Sequence, residues 1–343
     1  MRAGIRADVA RPVLRTAAAA GLVVVLATGF PAYAGETTAD DQGSVQPDPP
    51  TPDSNATSGN GTIGANIRIA QSRTGSGEST TTATSSNASW KPPVCWYEPM
   101  YTPEEYEEFI KSSYGGALEP AASYAKKREE EKYHEDDEGL WWQVKFRDDN
   151  YTEACPVTTD SWEIWVPPAD PQPDPNKLTP EILSELAYNS TKLPAPPVEL
   201  SPSEDRLIVN LGTRVAFKGD FDRVWTTASI NYKGVQMAAT TVATPVALKV
   251  EAGTDEADPQ SCTYDLVKGE DGYSVDSKNA GCNVTYRRSS GTGTYPFKAS
   301  ITWQVTWTDS ADPDGPARQP ALPDGLSTYE QDVTVKEIQS VNR

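Results

Sequence analysis

The chain has 343 residues, with 49 acidic side chains against 30 basic ones, and a formal net charge of −19. Such a charge repels phosphate backbones and anionic membranes, and no basic patch offsets it, so nucleic acid is excluded as a partner. One histidine and the lack of any C-x-x-C pair exclude a zinc-type centre, and no cofactor is expected.

Residues 1–34 carry Arg2, Arg6, Arg11 and Arg15, then an apolar run from Ala17 to Phe30, then Ala32-Tyr33-Ala34. This is the pattern of a secretory signal peptide cleaved between Ala34 and Gly35. The run is about 14 residues long, short of the roughly 20 that span a bilayer, so no membrane insertion is expected after cleavage. Cleavage removes four Arg and Asp8, a net +3, and takes the charge from −19 to −22. The expected location is secreted or extracellular, in association with the cell envelope.

Residues 35–89 are mostly Gly, Ser, Thr, Asn, Asp and Pro, a composition that cannot bury enough apolar surface to offset its ordering entropy. A disordered arm is expected. Within it, GNGTIG at 59–64 spells G-x-G-x-x-G, but no strand pattern precedes it, no helix pattern follows, and the ribose-binding acid is missing about 20 residues on. Nucleotide binding is therefore not expected. Ile63, Ile67 and Ile69 alternate on one face and could form one edge strand against the body or a sticky patch in the arm.

Residues 90–166 are expected to form an aromatic-rich α+β domain. Thr102-Pro103-Glu104-Glu105 has a Thr N-cap, Pro at the first helical position and Glu closing a capping box. Tyr106, Phe109 and Ile110 then give a helical apolar face that stops at Gly115-Gly116, and a second helix is expected over 118–133. The acidic run Glu135–Glu138 reads as a solvated loop, because it lacks the ligand spacing of a calcium site. His134 could act as a general base, but no Ser or Cys motif accompanies it, and an ordinary surface or capping role is expected.

Two strand-like segments follow. Trp142, Val144 and Phe146 share one face, and Trp162, Ile164 and Val166 share one face of the other. A hairpin or small sheet covering the two helices is expected. Six of the nine tryptophans lie in this region: Trp90, Trp96, Trp141, Trp142, Trp162 and Trp165. At this density they serve as core or as exposed stacking surfaces, and core is the commoner role. Alternation turns Trp141 and Trp165 away from the other aromatics of their strands, which makes these two the ligand-binding candidates.

A Pro-rich connector over 167–197 contains a short helix from Thr179 to Tyr188, with Ile182, Leu183, Leu186 and Ala187 as its docking face. From 198 to 343 the period changes to two, in RLIVNLGTRVAF, VATPVALKVEAG, CTYDLVKG, CNVTYRRSS, ASITWQVTWT and YEQDVTVKEIQ. Short strands at this spacing predict an immunoglobulin-like antiparallel β-sandwich, with Ile301, Trp303, Val305 and Trp307 facing inward. The four cysteines, Cys95, Cys155, Cys262 and Cys282, allow three pairings, and proximity favours Cys95–Cys155 with Cys262–Cys282. Such loops would stabilise by roughly 4 and 3 kcal/mol in the chain-entropy model.

The stretches WKPPVCWYEPMYTPEEYEEF, WWQVKFRDDN and VATPVALKVEAG, with the paired cysteines and ITWQVTWT, resemble exported proteins of high-GC actinobacteria of the streptomycete type. The resemblance covers about residues 90 to 310. Some members of that group carry labels such as enoyl reductase or ATP/GTP-binding protein, neither of which any motif here supports. The resemblance implies an exported, envelope-related role and brings no catalytic residues with it. The expected function is non-catalytic binding or organisation of a cell-wall glycan or an envelope protein partner. The alternatives are a carbohydrate-active enzyme with paired carboxylates in a Trp-lined cleft, and a protein-only interaction module using a free sheet edge.

Overall fold

The computed structural model describes residues 61–63, 66–72, 80–82, 84–85, 87, 89–118, 121–147, 155, 161–168, 176–276 and 281–338. The signal peptide, the Ala34/Gly35 cleavage site and residues 35–60 of the arm lie outside the described residues. The described residues all fall within one compact unit.

Short strands come first: β1 (Gly61–Ile63), β2 (Ile67–Gln71), β3 (Thr80–Thr82) and β4 (Thr84–Ser85). The aromatic region supplies β5 (Cys95–Tyr101), α1 (Pro103–Tyr114), α2 (Ala121–Glu130), β6 (Leu140–Phe146) and β7 (Glu163–Val166). Next are α3 (Pro180–Ser190), β8 (Lys192–Pro194), β9 (Val198–Ser201), β10 (Leu207–Ile208), β11 (Gly212–Phe217), β12 (Val224–Tyr232) and β13 (Val235–Glu251). The chain closes with β14 (Ser261–Gly269), β15 (Gly272–Val275), β16 (Val284–Thr285), β17 (Tyr295–Thr308), β18 (Gly325–Val333) and β19 (Val335–Lys336).

The protein is mostly β, with few helices. Its centre is a nine-stranded antiparallel sheet in the order β1-β2-β12-β13-β17-β18-β4, with β14 added to β13 and β15 to β14. The sheet is curled into a half-barrel, and an immunoglobulin-like sandwich is not shown. Strand length explains the difference. The 17 residues of β13 are enough to pair with β12 through their first half and with β14 through their second, while β17 runs along the other edge. A register shift between Pro245 and Ala247 bends the strand where one partner gives way to the next. Strands that would otherwise divide between two sheets thus stay in one. Smaller sheets, β16-β11-β9 and the parallel pair β10-β19, lie beside it.

The inward faces match the period-two reading. Ile301, Trp303, Val305 and Trp307 are all buried, together with Leu248, Val250, Tyr264, Tyr286 and Phe297. Part of the stretch expected as a disordered arm is also sheet. β2 pairs with β12 from Gln71↔Thr226 to Arg68↔Ser229, and Ile67 and Ile69 are buried. Alternating isoleucines thus outweigh the polar composition around them. The Gln71 side chain donates to the Lys192 carbonyl (2.6 Å) and accepts from the Lys192 N–H (3.1 Å), which ties β2 to the start of β8.

The helices follow their caps. Thr102 Oγ1 accepts from the Glu105 N–H (3.3 Å), and Glu105 Oε2 accepts from the Thr102 N–H (2.8 Å), a complete capping box. Thr179 caps α3 through the Ile182 N–H, and Ile182, Leu183, Leu186 and Ala187 are buried on the side that meets β12 and β13. Helix α2 ends at Glu130, short of its expected end, because the following residues turn left-handed. Among the described residues, no helix is long and apolar enough to cross a membrane.

Candidate functional site

Both disulfides have the expected pairing, Cys95–Cys155 and Cys262–Cys282, with Cα–Cα distances of 5.9 and 5.8 Å. They point to an oxidising, extracytoplasmic environment. The first of them ties β5 of the three-stranded sheet β5-β6-β7.

That sheet is covered on both faces. Tyr97, Trp142, Val144 and Val166 belong to the same core as α3 and the large sheet. On the opposite face Trp141 packs with Tyr106, Ile110, Tyr124 and Tyr133 under α1 and α2. The alternation expected from sequence is present, but the assignment of the faces is reversed. It is Trp141, not Trp142, that meets the helices.

Trp141 therefore does not form an exposed platform. It is 1% exposed, stacks on Tyr106 at 4.0 Å, and donates its indole N–H to the Tyr133 carbonyl (2.9 Å). Trp165 lies across from it in the register and is partly exposed. The most exposed tryptophan is one that sequence reasoning had placed on a core face: Trp162, at 38%, edge-on to Phe146.

Beneath the helices the sheet carries a polar row, Glu98↔Gln143↔Glu163. Glu98 is 0% and Glu163 2% exposed. Both Glu163 oxygens are engaged: Oε2 accepts from the Tyr124 hydroxyl (2.6 Å) and Oε1 from the Gln143 amide (3.0 Å). Tyr124 shares a hydrogen bond with the Tyr106 hydroxyl (2.9 Å), and Trp96 Nε1 donates to Glu98 (3.3 Å). The buried Arg128 guanidinium lies over the rings of Tyr124 and Trp141, at 4.8 and 4.9 Å. Burial, helped by the Glu163 charge, pushes the Tyr101 phenol up to about 12 and raises Tyr106 and Tyr124 as well. Burial lowers Lys145, against the pull of Glu98 and Glu163. These groups fasten the helices to the sheet, with one hydrogen bond on each Glu163 oxygen.

His134 sits at the rim. Its ring is stacked on Trp165 with centroids 4.5 Å apart and planes 3° apart, and its Nδ1 lies 2.7 Å from Asp137 Oδ2. The backbone that presents it is strained. Lys132, Tyr133 and His134 have φ of 49°, 53° and 61°, three successive non-glycine residues in a region that costs an L-residue roughly 1–2 kcal/mol. The acidic run Glu135–Glu138 beside it is exposed. No sequence signal marks this turn. Glu163 does leave one, as the lone acid within the apolar stretch WEIWV.

A second acidic pair lies on α3. Burial first, and then the charge of Glu181 one turn earlier, push the Glu185 carboxyl up to about 7. Among the described residues, no group of three or more His, Cys, Asp or Glu is placed to hold a metal ion. No family model matches the chain, and no curated protein or solved structure matches it significantly.

Proposed function

We propose that this chain is an exported binding protein of the cell envelope, which recognises a wall glycan through aromatic side chains of the β5-β6-β7 layer and without a catalytic step. The observation that carries this reading is Trp162, a large exposed ring on a rigid mount. Its carbonyl accepts from the Val144 N–H (2.9 Å), and the preceding Ser161 carbonyl accepts from the Tyr97 hydroxyl (2.5 Å). Backbone fixed this way has little main-chain freedom to lose on binding, which favours affinity. The disulfides suit a location outside the cytoplasm. So does the similarity to exported actinobacterial proteins noted from the sequence.

Co-sedimentation of the disulfide-intact chain with insoluble wall material tests the proposal. The wild type should pellet, and Trp162→Ala should stay in the supernatant while keeping its melting midpoint. If the wild type itself stays in the supernatant, glycan recognition fails, and cross-linking for an envelope protein partner becomes the next step.

One observation favours an enzymatic reading instead. Glu185, whose carboxyl burial pushes up to about 7, stands one turn from Glu181, so two acids in different surroundings share one helix face. A glycosidase needs such a pair. On this reading the wild type would release reducing ends from wall material and Glu185→Gln would not.

A further inference from the structure

The strained turn after α2 lies over an aromatic ring. His134 takes the parallel position on Trp165 that a flat ligand would take, 4.5 Å from it. The rest of the ring is already hemmed in by the protein. A Cβ on Gly139 would come within 2.6 Å of Trp165 Cζ2, and Trp141 meets the ring edge-on at 5.7 Å. His134 is thus the covering group carried by a strained turn.

The turn is held closed against its left-handed backbone by the Trp141 N–H to the Tyr133 carbonyl, the Tyr133 ring buried under α1 and α2, the His134–Asp137 contact, the His134–Trp165 stack and an edge-on His134–Trp141 contact. Strain of this kind persists only where the surroundings over-determine it. Three of these contacts belong to the His134 side chain, which is 27% exposed. Tyr133 anchors the turn in the core, while the group that covers Trp165 is a side chain at the surface.

We propose that Lys132–His134 is a lid on a sugar subsite: when the turn opens, His134 leaves the indole face of Trp165 and the C–H face of a pyranose ring takes its place. This inference rests on the glycan reading above and adds a second, gated contact to the open one at Trp162.

Hydroxyl-radical footprinting of Trp165 in the disulfide-intact chain, read by mass spectrometry, tests it. Lys132 is exposed, and Lys132→Gly relieves one left-handed residue without touching the contacts of Tyr133 and His134, so Trp165 oxidation should fall about fivefold. His134→Ala removes the stack and the Asp137 bond, so oxidation should rise about tenfold. A soluble β-1,4-linked N-acetylglucosamine tetramer should then protect Trp165 most in His134→Ala and least in Lys132→Gly. Equal oxidation in all three proteins overturns the lid. Oxidation in the expected order with no protection by the tetramer overturns the sugar subsite. If wall pelleting depends on Trp162 while Trp165 behaves alike throughout, the lid fails and the binding function stands.

Discussion

The large sheet and the layer under α1 and α2 both bury polar groups, but of different kinds. Around β12, β13 and β17 most of the buried polar groups are threonine hydroxyls, satisfied over short distances. Thr227 meets Thr240 (2.9 Å), Thr241 donates to the Ser184 carbonyl (2.8 Å), and Thr191 donates to Thr226 (2.9 Å). The apolar remainder is mainly aliphatic, with Ala228, Ile230, Leu248, Val250 and Ile301, and Trp303 anchors it. The helical layer has few aliphatics and builds with rings that carry polar handles, which converge on one carboxylate, Glu163. A core of hydroxyls and aliphatics spreads its stability over many small contacts, whereas a core of phenols depends on the group that receives them.

The largest expected effect measures the first kind of core. Trp303→Ala, in a fully buried position, should cost about 4 kcal/mol in urea unfolding, through lost burial and the cavity left behind. A cost below about 1 kcal/mol would mean that the sheet repacks freely. Next, Glu163→Ala leaves the Tyr124 hydroxyl and the Gln143 amide without their acceptor and should cost about 3 kcal/mol. Tyr124→Phe should cost about 1 kcal/mol in the wild type and far less in Glu163→Ala. Additive losses would break the idea of a single receiving carboxylate.

Smaller effects sharpen the same contrast at the helix ends. Thr102→Ala removes the α1 cap and should cost about 1 kcal/mol, with the loss seen in hydrogen exchange of α1 and not of β13. Glu185, on the helix that serves the large sheet, gives the most pH-dependent effect. Its folded pKa, about 7, lies above the unfolded value of 4.5, so its contribution is fully present below 4.5 and is lost as pH rises through about 7. Glu185→Gln should therefore leave the melting midpoint unchanged at about pH 4 and raise it at about pH 8. A midpoint that does not respond at either pH would show Glu185 to be well solvated in the folded chain.

What the sequence disclosed follows the range of the interactions. The Thr102 and Thr179 caps, the inward Trp303 face and the docking face of α3 are set by neighbours within a few residues, and all can be read directly. The cysteine pairing follows from closeness in the chain. The sandwich is not shown, because nothing local tells whether a 17-residue strand such as β13 serves one sheet or two. The candidate site was half legible. Period-two alternation correctly separated Trp141 from Trp142, but which face meets the helices depends on α3 and the large sheet packing against Trp142 from the other side. Trp162 was expected inside because its strand partners Ile164 and Val166 are apolar; it lies just before β7 begins, where the cover ends. The left-handed turn at Lys132–His134 is held by tertiary contacts with Trp141 and Trp165, and nothing in KYH announces it.

The central claim is that an exposed, rigidly mounted ring at residue 162 binds wall glycan. Its most direct test is the affinity of the disulfide-intact chain for solubilised wall fragments, with Trp162→Phe and Trp162→Ala compared under identical conditions. Affinity that is mostly kept by Phe and lost at least tenfold by Ala, with all three proteins melting alike, is the predicted result. Equal affinity of wild type and Trp162→Ala would contradict the claim.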